Sequence, residues 1–239
     1  MTPGLTLING KTLRYRVRRN PRARRRLVRV SRETGVVVTL PRGDRLDVAQ
    51  ELLQAWSDWI EERVEREGVW DGPVVRSFAT GSRILLHGEP HTLRLDPLPA
   101  GRSRSRMRLQ DDTLVLELPP SDLLSPRDAL QRHLKKEGGR FLRERVAHWV
   151  AITDLHPARV VVGERRTRWG SCSSRGTISL CYRLVMAPPQ VADAIVVHEL
   201  CHLRHMNHSR RFYTLLESFL PDYRETVAWL RDHGEELRI

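Results

Sequence analysis

The segment His198-Glu-Leu-Cys-His202-Leu-Arg-His205-Met-Asn-His208 gathers residues whose types and spacing suit metal-assisted hydrolysis. On an α-helix, side chains four apart lie one turn apart on one face, so His198 and His202 can aim ring nitrogens at a single zinc ion. Glu199 then lies beside the open position of that ion, where a carboxylate can accept a proton from an attacking water. The pattern is specific, because composition alone yields His-Glu-x-x-His roughly 0.03 times in a chain of this make-up.

Helix geometry bears on the third ligand. His205 is seven residues from His198, about 10 Å along a straight helix, too far for one ion to hold both together with His202. Met206-Asn207 offers a turn and Ser209 a new N-cap, which lets His208 fold back and leaves a fourth position for water. His205 or an acid such as Glu217 is the alternative. The expected cofactor is one Zn2+ per chain.

These groups need elements to hold them. From Ala158 the pattern reads as a strand over Arg159 to Val162, a glycine- and serine-rich loop over Thr167 to Gly176, and a strand over Thr177 to Val185 that edges the cleft. Pro188 or Pro189 starts the helix carrying the histidines, and Ser209 and Pro221 open two more. Upstream, Ser125-Pro126 with Asp128 forms a capping signature for a helix running to about Val150.

The first half is β-rich. Lys11 to Arg32 holds eleven basic residues and no acid. Leu13, Tyr15 and Val17 alternate with Arg14, Arg16 and Arg18, and Leu27 to Val30 and Val36 to Leu40 follow around a Glu-Thr-Gly turn, which predicts a β meander with one arginine-covered face. Asp44 is placed to cap a helix from about Leu46 to Glu65, with Leu52, Trp56, Trp59, Ile60 and Val64 as its core stripe. Strands return at Arg83 to His87, His91 to Leu95 and Met107 to Leu118, with a hairpin turn at Asp111-Asp112. Arg102, Arg104, Arg106 and Arg108 recur at period two, as on one strand face or in a loop. No internal repeat is evident. The expected fold is α+β: a β-rich region with one helix over residues 1–120, then a helical metallohydrolase domain with a small sheet over 121–239.

Composition narrows the class. The chain has 239 residues, 40% hydrophobic and 29% charged, enough for a packed core without disulfides. Cys172, Cys181 and Cys201 have no CxxC spacing, so reduced, buried thiols are expected. No apolar run approaches a bilayer span of about 18 to 20 residues and the start lacks a secretory pattern, so the expectation is a soluble cytoplasmic protein without a membrane partner. The 41 basic residues outweigh 29 acidic ones for a net charge of +12. Since only Lys11, Lys135 and Lys136 are lysines, the other 38 are arginines. Such a surface is expected to contact polyanions through the basic N-terminal region, although arginine at this ratio also fits a GC-rich coding bias.

The runs Arg168-Trp-Gly-Ser-Cys-Ser173, Leu180-Cys-Tyr-Arg-Leu-Val-Met-Ala-Pro188 and Val197 to Phe212 closely resemble the YgjP-like metallopeptidases, relatives of the SprT and WLM zincins. The resemblance is at motif level from about Val160 to Trp229 and only at pattern level before that. It implies His198, His202 and His208 as zinc ligands and Glu199 as catalytic acid/base. Family members usually have Asn-Trp-Arg where this chain has Cys181-Tyr182-Arg183, so Arg183 transfers and any role of the Asn side chain does not.

The resemblance implies peptide-bond hydrolysis. A UTP pyrophosphatase activity, giving UMP and pyrophosphate, has also been attributed to a member, and the same zinc site can serve either reaction. Arg168 and Arg183 are the expected substrate-binding residues for a nucleotide. Arg165, Arg166, Arg175, Arg210 and Arg211 are also expected near the metal. Trp169 reads as packing beneath its loop, Gly170-Ser-Cys-Ser173 as a weak anion cradle, and Cys172 lacks an activating base. A third reading is a nucleic-acid-binding module with structural zinc. Glu199 weighs against it, because a closed structural site has no use for an acid there.

Overall fold

The computed structural model describes residues 1–32, 34–73, 78–119, 126–165 and 167–239. The chain forms two compact units, Met1–Arg76 and Ser77–Ile239. The boundary expected at 120/121 therefore does not divide the compact units. Leu93, Leu114, Leu116 and Leu118 share one core with Leu130, Leu134, Val185 and Val197, so the strands of residues 83–118 fold with the helices that follow.

In the first unit, β1 (Thr2–Ile8), β2 (Lys11–Arg19), β3 (Leu27–Ser31) and β4 (Gly35–Leu40) form a sheet in the order β1-β2-β4-β3. This is not the expected meander, because β2 pairs with β4 in parallel and β3 lies beyond it. The reason lies in β4, which is buried along its whole length. A continuous apolar run belongs at the sheet centre, whereas alternating strands have one face to give to solvent.

Helices α1 (Asp47–Ala55) and α2 (Ser57–Glu67) contribute Ala49, Leu53, Ile60 and Val64 to the core of this unit. The expected single helix is broken at Trp56, whose ψ of 29° departs from helical backbone. The break turns Trp56 and Trp59 outward, each 45% exposed, so these tryptophans are not core. Asp44 pairs with Arg26 at 2.7 Å instead of capping α1.

The second unit opens with the same connectivity. Strands β5 (Arg83–Leu86), β6 (Glu89–Pro97), β7 (Arg106–Gln110) and β8 (Thr113–Leu118) are ordered β5-β6-β8-β7, with β6 and β8 parallel. The first hairpins turn at Asn9-Gly10 and His87-Gly88, where all four φ values are positive (47°, 82°, 53° and 86°). That signature matches type I′ turns, in which Gly has no steric cost. Lys11 and Gly35 correspond to Glu89 and Thr113 by the same offset, and a helix follows each sheet. The chain thus contains a structural repeat, contrary to the sequence expectation. Its residual sequence trace is Leu7-Ile-Asn-Gly10 against Leu85-Leu-His-Gly88, and Leu40-Pro41 against Leu118-Pro119. Of the period-two arginines, Arg106 and Arg108 lie on β7 while Arg102 and Arg104 precede it.

Helix α3 (Pro126–Thr153) follows; Ser125 of its expected cap lies outside the described residues, as do Glu33 and Arg166. Then β9 (Arg159–Gly163), β10 (Gly170–Cys172) and β11 (Thr177–Cys181) form a three-stranded sheet in the order β10-β11-β9. The expected strand to Val185 ends at Cys181 and gives way to a 3₁₀ turn, Tyr182–Met186. Because β11 is paired on both sides, it cannot edge a cleft, and the edge position falls to β10. Helices α4 (Pro189–Cys201), α5 (Arg210–Phe219) and α6 (Tyr223–His233) complete the unit. No described helix is long and apolar enough to cross a membrane.

Two contacts seat α3 and α4. Arg145 donates to both oxygens of Asp193 at 2.5 and 2.6 Å, a bidentate pair linking the helices. Gly138 lets α3 approach the 3₁₀ turn so closely that a Cβ there would clash with the carbonyl oxygen of Tyr182. Backbone cannot yield as a side chain does. Gly138→Ala is therefore expected to lower stability by about 1 to 3 kcal/mol, read as an earlier urea-unfolding midpoint. A midpoint equal to wild type or later would contradict this packing.

Candidate metal centre

Helix α4 has almost no free side. Val191, Ala192, Val196, Val197, Leu200 and Cys201 are buried on it, and so are Asp193 and Glu199. Its last turn carries His198, with His202 as the C-cap residue, so the four-residue spacing delivers both rings to one place. Backbone hydrogen bonds from Leu203, Arg204 and His205 to Leu200 and Cys201 then close the helix end. The chain turns, and His208 comes back so that its Nε2 lies 3.0 Å from Nε2 of His198. Ser209 takes the N-cap position of α5 without a side-chain capping bond. One nitrogen from each of His198, His202 and His208 lies within 4.8 Å of the others.

The rings are oriented from behind. Nδ1–H of His202 donates to the carbonyl oxygen of His205 at 2.9 Å, which leaves Nε2 as the free lone pair. His205 thus serves through its backbone. Nδ1 of His198 lies 2.7 Å from the Tyr223 hydroxyl. If Nε2 of His198 is the ligand atom, Nδ1 carries the proton and the Tyr223 oxygen accepts it. Burial pushes Tyr223 up to about 12, so its hydroxyl stays protonated near neutrality. Phe212, fully buried in the first turn of α5, lies 4.6 to 4.9 Å by ring centroid from all three imidazoles.

The electrostatics favour neutral imidazoles. Burial, helped by His202 and His208, pushes His198 down to about 4, and burial likewise lowers His202. Neutral rings offer the lone pairs that metal binding needs. Glu199 is pushed up to about 7 by burial, against a lowering influence from Arg168. Its Oε2 is buried and makes no hydrogen bond among the described residues. Gly170 on β10 makes room for this carboxylate, since a Cβ there would sit 2.5 Å from Glu199 Oε1.

The remaining sequence-derived residues are placed as follows. Arg168 is exposed but close enough to influence Glu199. Arg183 is engaged, donating to the carbonyl of Arg165 at 2.7 Å and standing 5.3 Å over the Trp169 ring. Trp169 packs against the main core of this unit. All three cysteines are free thiols. Burial raises Cys172 and pushes Cys201 up to about 12, so neither is an activated nucleophile. Sequence reasoning missed Phe212 and Tyr223, and read Gly170 as part of an anion cradle rather than as the residue that makes room for Glu199. Phe212, four residues after His208, was within reach of helical spacing, whereas Tyr223 carried no local signal.

A His-Glu-x-x-His helix with a third imidazole folded back onto it is a metal-binding arrangement of the metallopeptidase type. The family model of the YgjP-like metallopeptidase domain matches residues 24–233, and the chain belongs to that family. The match extends well into the first sheet, beyond the motif-bearing half. Among solved structures, the metallopeptidase zymogen of Pyrococcus abyssi abylysin is similar over 39% of this chain and 93% of that one, with 21% identity and a TM-score of 0.35. No curated protein matches the chain.

Removing ligands one at a time tests the triad. His198→Ala, His202→Ala and His208→Ala are each expected to lower bound divalent metal, measured by elemental analysis after dialysis, whereas His205→Ala keeps it, because only the backbone of His205 contributes. Full metal in the His208 variant with loss in the His205 variant would reverse the assignment.

Proposed function

We propose that the chain is a zinc-dependent hydrolase of metallopeptidase type, with Glu199 as general base in cleavage of a peptide bond. The observation that carries this reading is the Glu199 carboxylate: 5% exposed, one oxygen without a partner among the described residues, and adjacent in sequence to His198. The donor set fits zinc, with three imidazole nitrogens and no fourth protein ligand in the cluster among the described residues. His198, His202 and His208 would hold the zinc ion, which would supply Lewis-acid polarisation and acidify water. Glu199 takes the proton from the attacking water and passes it to the departing amine. A proton affinity near neutrality suits a group that must both accept and give.

The substrate assignment rests on the surroundings of the carboxylate. Strand β10 is a sheet edge whose Gly170 lies against Glu199, so an extended peptide pairing with β10 would bring its backbone to the site. A triphosphate needs several free cationic donors, yet the Arg183 guanidinium is already held between the Arg165 carbonyl and Trp169. We assign Arg183 to positioning the Trp169 loop, and Arg168 to the rim of the substrate site.

Glu199→Gln is expected to keep metal and fold while turnover of a casein-type substrate falls by about 10² to 10⁴. Activity within a few fold of wild type would remove Glu199 from the mechanism. The zinc-loaded protein, offered casein and the four common ribonucleoside triphosphates in parallel, is expected to cleave casein and release no pyrophosphate. The opposite pattern would overturn the peptidase assignment in favour of a nucleotide pyrophosphatase.

A further inference from the structure

The β1–β4 sheet has two unlike faces. Leu13, Tyr15 and Val17 of β2 join the core formed with α1 and α2. The alternate positions, Arg14, Arg16 and Arg18, point the other way. Cross-strand register adds Leu5 of β1 opposite Arg14, and Arg29 of β3 opposite Val37, itself opposite Arg16. No strand residue on this face is acidic.

The repeated sheet supplies an internal comparison. There the equivalent register places Arg94, Val115 and Arg108 side by side, matching Arg16, Val37 and Arg29. Two residues further along the strands, that sheet has Asp96 and Glu117, and these carboxylates pair with Arg94 and Arg108 at 3.2 Å. The first sheet has Arg18 and Thr39 at those two places. A coding bias toward arginine acts on both sheets alike, so it does not explain why one keeps its acids and the other has none. The arginine bonds on this face of the first sheet are to neutral acceptors: Arg16 to the Thr34 carbonyl at 2.5 Å and Arg18 to Thr39 Oγ1 at 3.4 Å. Arg14 and Arg29 have no side-chain partner among the described residues.

We propose that this face binds single-stranded nucleic acid. Arginines at every second residue of β2 stand about 6.8 Å apart, comparable to the phosphate repeat of a polynucleotide strand. Arg22, Arg24 and Arg25, in the loop before β3, extend the charge without carboxylate partners among the described residues. The leucines on this face select the form of nucleic acid. Leu5 and Leu7 on one edge strand and Leu27 on the other are 62%, 59% and 48% exposed, with the arginine row between them. A strand whose phosphates follow β2 can lay its bases against these aliphatic margins and the guanidinium planes. A duplex hides its base faces and would leave the leucines without a use. A membrane surface would favour one apolar edge over two separated by cations.

The test uses the full chain and a fluorescent 16-residue oligouridylate, with oligothymidylate, a 16-base-pair duplex and phosphatidylserine vesicles in parallel. Anisotropy is expected to show single strands binding at about 50 mM salt and weakening steeply toward about 200 mM. Arg14→Gln/Arg18→Gln/Arg29→Gln should weaken binding at least about tenfold and reduce the salt slope by about 2, as for three lost phosphate contacts on a single strand. Leu5→Ser/Leu7→Ser should weaken oligouridylate binding and leave the salt slope unchanged. Both variants should keep the wild-type unfolding midpoint and casein turnover, which separates this proposal from the metal site. Wild-type affinity in the triple arginine variant, tighter binding to duplex or vesicles than to single strands, or no binding at about 50 mM salt would each overturn it.

Discussion

A carboxylate and three imidazoles occupy one end of α4, a helix with scarcely any solvent-facing side, and much of the second unit follows from that placement. Burying these groups costs free energy, and partners behind the rings lower that cost. The surrounding elements build the site: the His205 carbonyl and Tyr223 behind two of the rings, Phe212 against all three, and a strand glycine where any Cβ would strike Glu199. The bidentate Arg145–Asp193 pair fixes the same helix to α3, so the site is held by the core rather than by its own loop.

The paired sheets show how one topology was put to two uses. Both turn through a positive-φ x-Gly pair, cross over to a parallel central strand and lead into a helix. In the second unit the outer arginines are neutralised by Asp96 and Glu117, while β5, β6 and β8 send their apolar residues into the large core. In the first unit the acids are gone and the cations face outward. The two faces differ at equivalent register positions, which hold Asp96 and Glu117 in the second sheet and Arg18 and Thr39 in the first.

The ligand set was legible in the sequence because helix periodicity is local. A four-residue spacing puts His198 and His202 together whatever surrounds them, and a rise of 1.5 Å per residue forces the chain to turn before a third histidine can join. Alternation on β2 likewise disclosed the arginine face. The strand pairing was not legible, because parallel and antiparallel neighbours present the same alternation. Only the packing of β4 at the sheet centre decided the crossover. For the same reason residues 83–118 read as part of the first region, although their leucines belong to the core beneath α3 and α4.

What the tertiary structure alone decided is which distant residues complete the site. Tyr223 reaches His198 across 25 positions and Gly170 meets Glu199 across 29, separations over which no sequence period operates. The outward turn of Trp56 and Trp59 was equally hidden, since a helical stripe marks residues that can share a face but not where the helix breaks. Local spacing therefore determined the chemistry this chain can attempt. Long-range packing, which must bury a polar helix end, decided the groups that hold that chemistry in place.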